Sequence, residues 1–164
     1  MERYLGTKII NAEPAWRTTV LESGDKVIVT KAERPDKSTL SADTEDGYKV
    51  VYQDGYISWS PKAVFEEAYR RIDNLTFGLA IEALKKGFKV SRAGWNGKGM
   101  FVVYQKGYPN GIPCNKQTAE AWGLKEGDPF VCNPYLQIKN VNGSHSMWVA
   151  SINDILAEDW QILE

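Results

Sequence analysis

Two short apolar runs, residues 88–92 and 100–105, enclose the turn RAGWNGKG, and no other stretch limits the fold of this chain more tightly. Asn96-Gly97 is a strong turn dipeptide, so the runs read as two strands flanking the turn. Gly94, Gly97 and Gly99 free the backbone to take positive φ and to come close to another group. Successive amide N–H groups in such a turn can form a concavity for an anion. Arg92 would add a planar fork suited to phosphate and Lys98 a point charge. Trp95 offers a flat face for a base, an interaction worth roughly 1–3 kcal/mol in single-strand complexes. From these residues alone two readings stay open. One is a nucleotide-like ligand site running from Arg92 to Met100; the other is a glycine-rich hairpin whose Trp95 anchors the core and whose Lys98 is solvated. The Gly-Lys-Ser/Thr signature of a phosphate loop is absent.

The rest of the chain reads as two segments. Residues 1–73 form a small β-rich module. Strands are expected at 5–12 and 26–31, an exposed loop at 32–46, and a hairpin at 48–59 turning on Asp54-Gly55. Ser60-Pro61 then reads as an N-cap with proline at the first helical position, opening a helix to about Arg70 whose apolar set is Ala63, Val64, Phe65 and Ala68. Residues 74–164 form the second segment. Phe77, Ala80, Ile81 and Leu84 make one apolar stripe, with Thr76 as N-cap and Gly87 as the terminating C′ residue. GYPNGIP is rich in turn formers, and a short helix follows from Asn115 to a stop at Gly123. Residues 130–133 are ambiguous. Strands at 135–141 and 147–150 meet at Asn142-Gly143, Ser151 and Asp154 form a capping box, and residues 159–163 close the chain as a strand. The predicted class is α+β: a helix packed on a mostly antiparallel β-sheet, preceded by the β-rich module.

Composition narrows the function. Lys plus Arg number 20 against 21 Asp plus Glu, a net charge of −1, which argues against a protein built to hold nucleic acid and against an anionic membrane surface. No 18-residue apolar run or leader-like start is present, so a cytoplasmic protein is expected. Cys114 and Cys132 have no CxxC spacing and read as free thiols. The single histidine, His145, lies in a polar hairpin tip, which disfavours Ser-His-Asp, Cys-His and multi-histidine metal chemistry. Asp154, Glu158 and Asp159 could do acid/base work or hold magnesium, but such clusters more often cap a helix and hydrogen-bond a neighbour. Of the six tryptophans, Trp16, Trp59 and Trp122 read as local anchors. Trp95, Trp148 and Trp160 sit beside polar groups, where an exposed ring could stack.

The segments LTFGLAIEALKKGFKVSRAGWNGKGMFV, GYPNGIPCNKQTAEAWG, PYLQIKN and WVASINDILAEDWQIL resemble the Thoeris anti-defence 2 family of phage proteins. The resemblance covers about residues 74–164; the first segment resembles an N-terminal extension found on some phage members. It implies a non-catalytic sponge that holds, without cleaving, a cyclic ADP-ribose derivative (glycocyclic ADP-ribose) made by TIR proteins. It further implies a homo-oligomer, a tetramer, with pockets that use more than one protomer, acting in the cytoplasm of the infected host. Carried over by position, Trp95 is expected to stack on adenine, Arg92, Asn96 and Lys98 to be polar members of the turn, and Asp154, Asp159 and Trp160 to belong to the closing motif. With Met100 and Trp148 these make the expected ligand-binding set, with no catalytic residue, metal or cofactor. Cyclic dinucleotides suit the same groups. Two other classes stay open: a metal-assisted hydrolase using Asp154 or Asp159, and a structural module binding single strands or protein.

Overall fold

The computed structural model describes residues 7–22, 25–31 and 44–163, and the chain divides into two compact units, residues 1–70 and 71–164. The sequence had placed the division three residues later, after Asp73.

The first unit is a four-stranded antiparallel sheet of β1 (Asn11–Glu22), β2 (Asp25–Lys31), β3 (Glu45–Val51) and β4 (Ile57–Pro61), in the order β2-β1-β3-β4. Ala15, Thr18, Gly47 and Val50 are its buried residues among those described. The expected first strand is corrected: residues 7–10 are not strand, and Leu5 lies outside the described residues. The strand instead begins at Asn11 and continues through Trp16, because residues 11–17 pair with β3 and residues 16–22 with β2. Of the expected loop, residues 32–43 lie outside those described, whereas Glu45 and Asp46 are strand, paired with Arg17 and Trp16.

The β3–β4 hairpin forms, but not on a two-residue turn. The Tyr52 N–H bonds the Tyr56 carbonyl, the Gly55 N–H bonds the Tyr52 carbonyl, and Gly55 has φ +84°. That is a three-residue loop with glycine in the left-handed position, which also matches the twist of the strands. The hairpin at 140–144 repeats it: Asn140 N–H to the Ser144 carbonyl, Gly143 N–H to the Asn140 carbonyl, and φ +85° at Gly143. Ser60 is not an N-cap; it pairs with Tyr48 inside β4, and α1 (Lys62–Ala68) starts after Pro61 without a side-chain cap. Only Phe65 of its apolar set packs, stacked on Tyr48 with centroids 4.1 Å apart, while Val64 is exposed.

The second unit contains α2 (Phe77–Lys85), β5 (Lys89–Arg92), β6 (Phe101–Gln105), β7 (Tyr108–Pro113), α3 (Lys116–Trp122), β8 (Pro129–Cys132), β9 (Tyr135–Lys139), β10 (His145–Trp148), α4 (Ile152–Ile155) and β11 (Trp160–Leu163). Five strands make an antiparallel sheet ordered β10-β9-β6-β5-β11, and β7 pairs with β8. The α+β class holds. Helix α2 starts where Thr76 accepts the Leu79 N–H, and it lays Ala80, Ala83 and Leu84 on Val90, Val102 and Ile138 of the sheet. Gly87, at φ +95°, lets the chain reverse into β5. Helix α3 is capped as expected, by Asn115 accepting from the Thr118 N–H and by Gly123 at φ +70°.

Two expectations fail here. The turn formers of GYPNGIP do not make a turn: Tyr108–Pro113 is strand β7, its glycine and prolines accommodated by a register shift against β8 between Tyr108 and Ile112. Trp122 is 65% exposed, touching Phe130 edge-on, since α3 buries only Ala119. Cys114 is buried and Cys132 half-buried, both as free thiols. Among the described residues no helix is long and apolar enough to cross a membrane.

Candidate functional site

Strands β5 and β11 run antiparallel with Trp160 opposite Arg92, so the start of the glycine turn lies beside the end of the chain. The turn is fastened there by Asp159, whose carboxylate accepts from the Gly94 N–H at 2.7 Å and from Arg92 Nε at 2.8 Å, while its carbonyl accepts the Ala93 N–H. Gly94 is needed for this approach. A Cβ at that position would stand 2.8 Å from Asp159 Oδ2.

Asp154 is the second fixed point. The N-cap Ser151 and the N3 residue Asp154 form a full capping box at α4, and that box leaves Asp154 Oδ1 facing the turn. Oδ2 accepts from Ser151 Oγ (2.6 Å) and its N–H (3.1 Å); Oδ1 accepts from Arg92 Nη1 (2.9 Å) and from the indole N–H of Trp95 (3.2 Å). Burial works against the charge of this carboxylate, yet the bonds from Ser151, Arg92 and Trp95 prevail and hold its pKa at about 2. Asp159 is also lowered, chiefly by Arg92, and Arg92 is raised by the two aspartates. The group is one guanidinium between two carboxylates, with side-chain exposures of 19%, 12% and 33% for Arg92, Asp154 and Asp159.

Above this network lie the tryptophans. Trp95 meets Trp160 and Trp148 edge to face, with centroids 5.4 and 6.1 Å apart, Trp148 meets Trp160 at 6.0 Å, and Phe77 of α2 touches both Trp148 and Trp160. Trp95 and Trp148 are half-buried. Such contacts fix ring orientation as well as adding burial.

The structure therefore gathers Arg92, Trp95, Trp148, Asp154, Asp159 and Trp160, while Asn96 and Lys98 stand exposed on the turn and Met100 packs its thioether against it. Two assignments change. Arg92 does not present a fork to an incoming phosphate, because Nε, Nη1 and Nη2 are all directed at Asp159 and Asp154. Trp160 offers no stacking face: it is 0% exposed, and its indole N–H donates to the Asp154 carbonyl at 2.9 Å. Polar neighbours in the sequence suggested exposure, but the strand alternation of β11 turns the ring inward. The same network makes Asp154 a poor acid/base group, since a carboxylate with a pKa of about 2 and four donors is a weak proton acceptor near neutrality. Lys139 was not picked out from the sequence, although its ammonium donates to the Gly99 carbonyl at 3.1 Å. The alternation of β9 was the only signal for it.

Gly97 and Gly99 serve differently. Gly99 has φ +73°, whereas a Cβ on Gly97 would lie 2.3 Å from Met100 Sδ and 2.5 Å from Val141 Cγ2. Gly97→Ala should therefore force Met100 and Val141 apart and lower stability by about 1–3 kcal/mol, read as a lower unfolding midpoint; an unshifted midpoint would mean the two side chains swing away freely. Neither the cleft of about 460 Å³ beside Trp59 nor that of about 230 Å³ beside Ile81 and Tyr135 is lined by residues of this turn.

Residues 75–163, the span holding the turn, the network and the tryptophans, match the Thoeris anti-defense 2-like domain family. The chain belongs to that family. The Thoeris anti-defense 2 protein of Bacillus phage SP01 is 34% identical over 93 residues, covering 54% of this chain and 94% of that relative. The anti-defence domain is thus the second unit, and the match leaves the four-stranded first unit outside it.

Proposed function

We propose that this phage anti-defence protein binds a cyclic ADP-ribose-type immune signal, glycocyclic ADP-ribose, and sequesters it without cleaving it. The observation that carries the reading is Trp95. Its indole is half-buried, held by Asp154 and braced edge-on by two further tryptophans, and it stands next to the exposed polar groups of Asn96 and Lys98. A pre-oriented ring binds a planar base without first losing its own freedom. A sponge competing with an effector needs an affinity near nanomolar, about −12 kcal/mol. A stacked base with a few charge-assisted hydrogen bonds supplies most of that when the site is preformed.

In this reading the protein acts in the host cytoplasm, needs no cofactor, and works as a homo-oligomer, a tetramer, in which a neighbouring copy closes the open side of the turn. Cyclic dinucleotides are the second ligand class to test. The absence of catalysis is supported by the commitment of Asp154 and Asp159 to Arg92.

The test is to load purified protein with glycocyclic ADP-ribose, remove unbound material, heat it, and analyse the released compound by mass spectrometry and chromatography. Near-stoichiometric intact ligand is expected from the wild type, and a loss of at least tenfold in affinity from Trp95→Ala. A changed product would make the protein an enzyme, and full binding by the variant would move the site elsewhere.

A further inference from the structure

With the Arg92 guanidinium engaged by two carboxylates, the turn needs another source of positive charge if it is to hold phosphate. The sheet supplies one on the face opposite α2. Val90 and Val102 are paired and buried under the helix, so strand alternation sends Lys89 and Phe101 to the other side, and Phe101 is paired with Lys139. The two ammonium groups converge on one ring: Lys89 Nζ lies 5.7 Å and Lys139 Nζ 5.9 Å from the centroid of Phe101. Among the described residues neither forms an ion pair with a carboxylate. Lys139 is tied to the turn by its bond to the Gly99 carbonyl, which uses one of its three donors.

The turn itself points the same way. Among the described residues, the backbone N–H groups of Asn96, Gly97, Lys98 and Gly99 make no backbone hydrogen bond within the chain. Exposed Lys98 lies between them in sequence. The Arg92–Asp154–Asp159 group, with one positive and two negative charges, carries a net −1 and repels an anion.

We infer that Lys89 and Lys139, together with Lys98 and the free amides of the turn, form a phosphate subsite that receives the diphosphate of the nucleotide while Trp95 takes its base. The inference rests on the sponge reading for the identity of the ligand, but not for the presence of the subsite. It assigns Lys89 and Lys139 as specificity-determining residues that recognise charge, distinct from the aromatic group that recognises the base.

Two measurements on the full chain test it. Calorimetric titration with glycocyclic ADP-ribose should give roughly a hundredfold weaker affinity for the Lys89→Met/Lys139→Met double variant, about tenfold per lost charge-assisted bond, and a flatter dependence on salt. Unchanged affinity and salt dependence in that variant would overturn the subsite and leave the sponge standing. The second measurement uses inorganic pyrophosphate, followed by amide NMR. Shifts at residues 96–101 and 139 in the wild type that vanish in the double variant would establish the subsite even if the wild type does not bind glycocyclic ADP-ribose. Absence of those shifts in the wild type would overturn it. A single-stranded oligonucleotide that bound more tightly than the cyclic nucleotide, through the same lysines, would replace the assignment with nucleic-acid binding.

Discussion

Asp154→Ala is expected to remove about 3 kcal/mol from the stability of the second unit and to abolish ligand binding with it. The size follows from what is left behind. Arg92, 19% exposed, would keep Asp159 but lose the Asp154 charge on Nη1; Ser151 would lose the acceptor for its hydroxyl and N–H, and the Trp95 indole N–H would lose its acceptor. Residual exposure of the pair keeps the figure at the low end for a broken buried ion pair. Amide exchange at β5, β6 and β11 reads the second unit directly, and a loss below about 1 kcal/mol would mean that the network contributes no more than a surface pair. The pH dependence has a definite sign. The folded carboxylate titrates at about 2 against an ordinary 3.8, so the stabilisation is complete above about pH 4 and disappears as pH falls through about 2. A difference of that size corresponds to about 2.5 kcal/mol. The wild type should therefore lose this increment between about pH 4 and pH 2, and Asp154→Ala should lack that step.

Much of this site could be read from the sequence, and the limits have physical causes. The capping box of Ser151 and Asp154, the Thr76 and Asn115 caps and the Gly87 and Gly123 stops were legible because each depends on residues three or four apart. The strands on either side of RAGWNGKG were legible from their apolar runs. Which partner each charge takes was not legible, because Arg92 meets Asp154 and Asp159 across more than sixty residues of chain. Residue type suggested that Arg92 would face a ligand; the antiparallel pairing of β5 with β11 turned it to the aspartates. Turn length failed for a related reason. Asp54-Gly55 and Asn142-Gly143 fit either a two-residue or a three-residue loop, and strand register, a long-range property, chose the longer. Period-2 patterning was also too weak in GYPNGIP to reveal β7, whose pairing is interrupted by a register shift.

Trp160→Ala should be the most destabilising single change in the second unit, at about 3–5 kcal/mol. The ring is fully buried, packs against Phe77, Trp95 and Trp148, and donates to the Asp154 carbonyl from below. Its backbone also holds Leu75 through bonds of 2.7 and 3.1 Å, so it joins the entry of α2 to the last strand. Trp160→Phe separates the two contributions. It keeps most of the apolar contact and deletes the N–H, leaving the Asp154 carbonyl to its longer backbone bond from the Ala157 N–H (3.4 Å), at a cost of about 1 kcal/mol. If ring packing orients Trp95, Trp160→Phe should remain folded and bind ligand more weakly, through a smaller ring that lets Trp95 and Trp148 shift. The measurement is chemical denaturation of both variants beside ligand titration of the phenylalanine variant. Equal stability losses for the two would place the whole effect in the hydrogen bond, and an unweakened ligand affinity in Trp160→Phe would mean that Asp154 and Trp148 orient Trp95 without the Trp160 indole.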